Sequence, residues 1–212
     1  MRVVAIDGPA GAGKSTVARA LAKRLGLEYL DTGAMYRAVT FAAIGRGIAL
    51  DDTALIGELS RQIVLDVGDE VVIVDGVDAT AAIRTNEITA AVSAVAANSE
   101  VRAEMRARQR AWAELRGGGV IEGRDIGSVV FPEAILKLYL TASPRVRAQR
   151  RVAQAGGDVD EIERAIALRD GSDSSRADSP LREADGSIVV DTSGLGVEAV
   201  LAAIQEFLKG SV

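Results

Sequence analysis

The 212-residue sequence contains no cysteine and no histidine. The absence of cysteine excludes disulfide bonds, thiol nucleophiles and thiolate metal sites. The absence of histidine excludes imidazole bases and histidine-bound zinc. Any chemistry must therefore rely on carboxylates, lysine, arginine, hydroxyl groups, backbone amides or a metal ion that oxygen atoms hold.

Long apolar runs and an excess of basic residues are absent as well. No segment approaches the roughly 18 apolar residues that a membrane span requires, and the opening apolar run ends at Asp7. We therefore expect no secretory signal, no membrane contact and a cytoplasmic location. The net charge of −5 argues against nucleic acid as a partner, because domains that bind it are usually basic.

Apolar segments and glycine-rich turns alternate along the first 45 residues. The pattern predicts a strand at residues 2–6, a helix at 14–25, a strand at 27–30 and a helix at about 34–44. Such alternation is typical of an α/β fold in which helices cross over between parallel strands.

The rest of the chain departs once from this alternation. Residues 64–67 and 71–74 flank Gly68-Asp69-Glu70 and predict an antiparallel hairpin, which we interpret as the start of an insert. A long helix is then expected at about 88–115. The remaining predictions are strands at 120–122, 135–140 and 188–190, helices at 144–155, 158–169 and 197–209, and a polar, turn-rich stretch at 171–180.

Residues 8–15, GPAGAGKS, match the phosphate-loop pattern G-x-x-x-x-G-K-[S/T] between a strand and a helix. Glycines let successive amides face one anion, and the helix N-terminus adds its dipole. Lys14 would reach the terminal phosphates, and the Ser15 hydroxyl would bind Mg²⁺. The predicted ATP site comprises Gly8, Pro9, Ala10, Gly11, Ala12, Gly13, Lys14, Ser15 and Thr16.

Three function classes are compatible with this loop: a small-molecule kinase, a GTPase or ATPase motor, and a nucleotide sensor without transfer chemistry. The sequence has no Asn-Lys-x-Asp motif for reading guanine. Motor ATPases usually need longer chains. A kinase needs a second pocket with cations that offset two nearby phosphate groups.

Arginines are placed where such a pocket would form. Arg37 follows the strand at 27–30, and Arg124-Asp125 lies in a glycine-bounded loop after the strand at 120–122. Ligands of open parallel sheets bind at these strand ends. The alternatives are an exposed helix charge for Arg37 and a local ion pair for Arg124 with Asp125. A solvated face is equally compatible with three arginines spaced four residues apart: Arg102, Arg106 and Arg110.

The segment from residue 145 to 182 is rich in arginine, and acidic residues nearly balance it. We interpret it as a mobile flap whose charges could re-pair with phosphates on closure. Glycine breaks at 156–157 and 171–172 are the expected hinges. A surface charge network without function is the alternative.

Five segments together resemble the bacterial cytidylate kinases: residues 6–16 (IDGPAGAGKST), 30–37 (LDTGAMYR), 83–85 (IRT), 123–132 (GRDIGSVVFP) and 169–181. They follow the family's order along nearly the whole chain. The resemblance implies one kinase domain with a three-layer P-loop NTPase-type parallel sheet flanked by helices. Its core would span about 1–60 and 100–212, with a β-containing monophosphate-binding insert at about 61–99 and a mobile lid at about 145–176.

The resemblance also implies an activity: transfer of the ATP γ-phosphoryl group to CMP or dCMP, with Mg²⁺, by a monomer. A kinase for another acceptor such as UMP or AMP, and a regulatory module that lost transfer, are the alternatives. The implied transfer residues are Lys14, Arg124, Arg147 and Arg151. The implied substrate-binding residues are Thr32, Arg37 and Arg124 for the acceptor phosphate, Ser93, Arg102, Asp125 and Arg176 for cytosine, and Arg169 and Asp173 for the ribose.

Overall fold

Five parallel strands form the central sheet in a computed structural model of the chain, which describes residues 1–210. Their order across the sheet is β2-β6-β1-β7-β8. Asp7, Asp31 and Glu122 each end a strand, so their side chains lie at one edge of the sheet. The five strands are β1 (Arg2–Asp7), β2 (Tyr29–Asp31), β6 (Gly118–Glu122), β7 (Leu136–Thr141) and β8 (Ile188–Asp191).

Helices cover both faces of this sheet and give the expected three-layer α/β fold. One apolar core lies between the sheet and α1 and α8, and the other lies between the sheet and α2 to α5. Among residues 1–210, no helix combines the length and apolarity needed to cross a bilayer. The helices are α1 (Lys14–Leu25), α2 (Thr32–Gly45), α3 (Thr53–Gln62), α4 (Asn86–Ala97), α5 (Ser99–Arg116), α6 (Pro144–Ala155), α7 (Val159–Ser175) and α8 (Val197–Gly210).

A second, antiparallel sheet contains the predicted hairpin. Its strands are β3 (Leu65–Val67), β4 (Val72–Val74) and the short β5 (Val77–Asp78), which the sequence pattern did not predict. Valines of β3 and β4 contribute to the core beside α2. The hairpin is therefore packed onto the main domain through apolar contacts.

The single helix predicted at 88–115 is wrong, because Asn98 divides it into α4 and α5. The Asn98 side chain accepts hydrogen bonds from the amides of Glu100 (2.9 Å) and Val101 (3.4 Å). Asparagine favours such caps because its side chain competes with the backbone for helix hydrogen bonds. Apolar periodicity continues across the break and so concealed it.

The turn-rich stretch predicted at 171–180 is also wrong in its first half. Helix α7 continues through Gly171 to Ser175, so the expected break at residues 171–172 lies inside a helix. The buried Asp173 of this last turn bonds to Arg124 of the sheet edge, and this tertiary contact outweighs the low helix propensity of glycine and serine.

Three further elements were not predicted, and the shortest of them is a 3₁₀-helix at Ala82–Arg84. Helix α3 begins after Asp52, whose carboxylate accepts a hydrogen bond from the Leu55 amide (3.0 Å). A π-helical turn spans Ile126–Val130, directly after the Arg124-Asp125 loop. The elements otherwise differ from prediction at their ends: the second strand, for example, is Tyr29–Asp31 rather than 27–30.

Candidate active site

The phosphate loop joins β1 to α1 at the carboxyl edge of the sheet. Gly8, Gly11 and Gly13 have φ values of 144°, 78° and 86°, which L-residues with a Cβ rarely adopt. Gly13 precedes α1 and provides no side-chain cap, so the first amides of α1 remain available to an anion. The Lys14 ammonium donates to the Pro9 carbonyl (2.9 Å) and so lies across the loop.

Lys14 is buried in a strongly charged environment. Burial and the nearby Arg124 lower its pKa, Glu122 and Asp7 act in the opposite direction, and the net result is a pKa of about 7. A bound polyphosphate would provide the negative charge that this lysine lacks. Arg124, from the loop after β6, thus reaches the same region as the phosphate loop.

Glu122 is a site residue that the sequence analysis did not identify. It ends β6, is buried, accepts a hydrogen bond from the Tyr29 hydroxyl, and lies near the Ser15 hydroxyl. Burial raises the pKa of Glu122, and the nearby Asp31 raises it further. An acidic residue at the end of an apolar strand was the available signal, because strand ends of parallel sheets carry ligand sites.

The oxygens beside Ser15 suit Mg²⁺ that is bound mainly through phosphates. Within residues 1–210 there is no group of three or more acidic side chains arranged to hold a metal ion. Mg²⁺ usually binds one or two protein carboxylates and completes its shell with water and phosphate oxygens. The Ser15 hydroxyl with the Glu122 and Asp31 carboxylates fits this pattern, and a cleft of about 510 Å³ opens beside Ser15 and Asp31.

Arg102 and Asp125 form a buried ion pair. We call the region around this pair, together with Arg37, Arg124 and Arg169, the acceptor side of the site. Their side chains are 1% and 7% exposed, and Arg102 Nη2 lies 2.6 Å from Asp125 Oδ2. Arg102 also donates to the Ala96 carbonyl (3.1 Å) and stacks over the Tyr36 ring, 5.4 Å from its centroid. The solvated-face interpretation is therefore wrong for Arg102.

The other two arginines of that helical face bind different partners. Arg106 Nη1 donates to Asp178 (2.8 Å) and Ser179 (3.0 Å), which follow α7. Arg110 donates to the Val130 carbonyl and to Glu133 (2.8 Å). The three arginines thus connect α5 to the segments on either side of it rather than forming one cationic patch.

Arg124 pairs with Asp173, so the alternative of a local pair with Asp125 is wrong. Arg124 Nε lies 2.9 Å from Asp173 Oδ2, and Arg176 lies 3.4 Å from the other carboxylate oxygen. Burial opposes ionisation of Asp173, but the charges of Arg124 and Arg176 and the bond from Arg124 hold its pKa below its usual value. The structure therefore brings the proposed phosphate, base and ribose residues into one network.

Two further arginines, Arg37 and Arg169, lie close to each other, and Arg169 is also close to Arg124. Arg37 donates to the Ile83 carbonyl (3.0 Å) and the Thr89 hydroxyl (2.8 Å), both uncharged acceptors. Burial and, to a smaller extent, neighbouring arginines that include Arg151 together lower the pKa of each arginine to about 10. In the described part of the chain, the buried Arg169 Nε has no hydrogen-bond acceptor.

Thr32 and Ser93 lie at two borders of this space. Thr32 begins α2 and donates its hydroxyl to the Glu122 carbonyl (2.6 Å). The Asp31 carboxylate caps the same helix through the Ala34 amide (3.0 Å). Ser93 is half-buried on α4, one helical turn after Thr89, and faces the same side of the helix as that Arg37 partner.

Arg147 joins α6 to the phosphate loop. It is buried and donates to the carbonyls of Ala142 (3.0 Å) and Ala10 (3.1 Å) and to Asp170 (2.5 Å). These bonds connect the predicted lid to the predicted ATP site. Arg151, one turn later on α6, contributes its charge to the space around Arg37 and Arg169.

Comparison with known proteins identifies the family. The family model described as cytidylate kinase matches residues 4–210. The chain is 48% identical to a cytidylate kinase from Mycobacterium leprae, over 98% of this chain and 95% of that one. It is 46% identical to one from Shouchella clausii, over 97% and 95% of the two chains.

Solved structures with little sequence identity share the fold. A shikimate kinase from Bacteroides thetaiotaomicron matches 97% of each chain with a TM-score of 0.52 at 16% identity. That similarity concerns the fold alone, whereas the relatives above match in sequence along nearly the whole chain. This chain belongs to the cytidylate kinase family.

Proposed function

We propose that this protein transfers the γ-phosphoryl group of ATP to CMP and dCMP, giving ADP with CDP or dCDP. The observation that carries the proposal is the buried Arg102–Asp125 pair (2.6 Å), because it presents a donor and an acceptor on the acceptor side of a phosphate loop. The sequence relatives named cytidylate kinases support the same substrate class.

The pair complements the edge of cytosine. Asp125 can accept a hydrogen bond from the exocyclic amine, and Arg102 can donate to O2 and N3. Uracil has a carbonyl where cytosine has the amine, so its lone pair would face the Asp125 carboxylate and be repelled. Ser93 and Arg176 would complete the base contacts from α4 and from the end of α7.

The acceptor phosphate would bind between Thr32, Arg37 and Arg124. Arg37 and Arg124 are both cationic, and no carboxylate pairs with Arg37 among the contacts of the described residues. A dianionic phosphate would relieve the repulsion that lowers the pKa of Arg37. Arg169 and Asp173, next to Arg124, would contact the ribose.

Transfer would need no general base, because a phosphate oxygen of CMP is already ionised near neutral pH. Catalysis would consist of holding donor and acceptor in line and neutralising the charge that develops. Lys14 and Arg124 would supply positive charge from the core of the domain, and Arg147 and Arg151 would supply it from the predicted lid. Mg²⁺, bound by Ser15 with the ATP phosphates, would neutralise phosphate charge when present.

We also propose a monomeric, cytoplasmic enzyme. The large exposed apolar side chains, such as Leu115, Ile135 and Leu168, lie in separate parts of the chain: on α5, just before β7 and on α7. Scattered apolar residues of this kind are ordinary on monomer surfaces. Size-exclusion chromatography with light scattering would test the oligomeric state.

A coupled assay with ATP and a panel of CMP, dCMP, UMP and AMP tests the activity. We expect turnover of CMP and dCMP, and much slower turnover of UMP. Asp125→Asn should narrow the preference for CMP over UMP, because the amide can present a donor to the uracil carbonyl. Faster turnover of UMP than CMP, or turnover of none of the four, would refute the proposal.

A further inference from the structure

Asp7 connects the phosphate loop to the loop that carries Arg124 and Asp125. It ends β1, directly before Gly8, and its side chain is buried. Asp7 Oδ1 accepts a hydrogen bond from the Ile126 amide (2.8 Å), and Oδ2 accepts one from the Gly127 amide (2.7 Å). No role in substrate binding or transfer has been assigned to it above.

The two amides that Asp7 binds are the first of the π-helical turn Ile126–Val130. The first amides of a helix have no acceptor within the helix and need one from outside. Asp125 occupies the cap position of this turn, where aspartate normally accepts a hydrogen bond from the second or third amide of the turn, yet its side chain makes no cap hydrogen bond. The Asp125 carboxylate pairs with Arg102 instead.

From this geometry we infer that Asp7 is a positioning residue that caps the turn in place of Asp125, and so leaves the Asp125 carboxylate free to bind the base. The inference rests on the proposed function, since it assigns Asp125 to the acceptor base. Asp7 also fixes the distance between the loop that carries Asp125 and the phosphate loop, because it belongs to the strand that leads into the phosphate loop.

The surroundings of Asp7 make this cap sensitive to charge. Burial and the charge of Asp125 raise its pKa, the two backbone hydrogen bonds and Lys14 oppose that rise, and the net pKa is about 6. Burial raises the pKa of Tyr139 on the neighbouring strand β7, and the charge of Asp7 adds a small part of that rise. An ionised Asp7 accepts both amide bonds, whereas a protonated one has fewer lone pairs to offer.

Asp7→Asn is the direct test. The asparagine side chain keeps one acceptor oxygen, but its NH₂ group faces the second backbone N–H and cannot accept from it. One charge-assisted hydrogen bond is therefore lost. The Asp125 carboxylate is then drawn toward the amide that has lost its acceptor. We expect the KM for CMP to rise about tenfold or more, and the KM for ATP to rise much less. Amide hydrogen exchange should accelerate in residues 123–130 and not in α1.

Asp52→Asn is the matched control. Asp52 also accepts a helix-terminal amide, that of Leu55 (3.0 Å), but it precedes α3, outside the site. Asparagine caps helices as well as aspartate does. We expect neither KM nor exchange at residues 123–130 to change in this variant.

Three outcomes would overturn the inference: an unchanged KM for CMP in Asp7→Asn, an equal rise for CMP and ATP, or faster exchange across the whole chain. If the variant does not fold, NMR-detected hydrogen exchange of the unliganded wild type gives the answer. The Ile126 and Gly127 amides should exchange slowly because the Asp7 carboxylate accepts a hydrogen bond from each, and fast exchange of either amide would overturn the inference. Inactivity of the wild type toward CMP would refute the proposed function, but the exchange and NMR results would still test the cap.

Discussion

The buried Arg102–Asp125 pair permits a test that separates its structural cost from its function. Arg102→Met removes the guanidinium but keeps an apolar chain of similar length. Asp125 then remains as a buried carboxylate without its partner 2.6 Å away, and the Ala96 carbonyl loses a donor. In the double variant Arg102→Met/Asp125→Leu, both charges are gone.

The expected changes in the free energy of unfolding differ in size between the two variants. Breaking a buried ion pair from one side typically costs about 3–5 kcal/mol, whereas replacing both partners with apolar residues is often neutral or stabilising. At about 2–4 °C per kcal/mol for a chain of this size, Arg102→Met should melt about 10 °C below the wild type. The double variant should recover most of that loss.

Thermal melts by circular dichroism at pH 7.5, with CMP kinetics on the same samples, measure both effects. We expect the double variant to be more stable than Arg102→Met while both lose CMP turnover. A double variant less stable than the single one would refute the reasoning, since it would mean that the pair itself stabilises the fold. An Arg102→Met variant as stable as the wild type would show that Asp125 does not suffer from losing its partner.

Two further predictions concern the phosphate loop. Lys14→Met should abolish turnover but raise the melting temperature. The folded state lowers the Lys14 pKa from 10.5 to about 7, chiefly through burial. The lysine therefore reduces the free energy of unfolding below pH 10.5, and the reduction is largest below pH 7. A lower melting temperature at pH 7, or a gain that persists above pH 11, would contradict this. Gly11→Ala should raise the KM for ATP, because residue 11 has a φ of 78° and the new Cβ would lie 2.9 Å from the Cβ of Arg147. Gly26→Ala is the control, because nothing lies within 4 Å of the Cβ added there. It should lower the free energy of unfolding by only about 1 kcal/mol. Similar KM values for ATP in the two glycine variants would contradict the second prediction.

Local patterns in the sequence predicted the strand, the turn and the helix that form the proposed ATP site. The strand, the glycine turn and the helix up to Leu25 are contiguous, and each is specified by residues within a few positions. The three-layer arrangement followed because alternating strands and helices have few ways to pack. Helix α3 was missed although Asp52 marks its start, and the helix break at Asn98 was missed although asparagine favours caps.

The acceptor side could not be predicted in the same way, because its contacts join distant residues. Arg102 and Asp125 are 23 positions apart, and Arg124 and Asp173 are 49 apart. Adjacent opposite charges suggested that Arg124 pairs with Asp125, but in the fold each is directed to another element. The resemblance to cytidylate kinases supplied these residues without their partners, and the pairs emerged only from the packing of α5 and α7 against the sheet edge.

The distribution of charge across the acceptor side also implies an orientation for the monophosphate. The Arg102–Asp125 pair is neutral as a unit and is buried beneath the Tyr36 ring, which suits an uncharged base. Arg37 and Arg169 have pKa values lowered to about 10 by burial and by neighbouring arginines, so their surroundings favour a bound dianion. Arg124 belongs to this cationic group and is near enough to lower the pKa of Lys14. We therefore expect the base of CMP to contact the neutral pair and its phosphate to contact the cationic group. In this orientation the phosphate of CMP points toward the loop proposed to hold ATP, as in-line transfer requires.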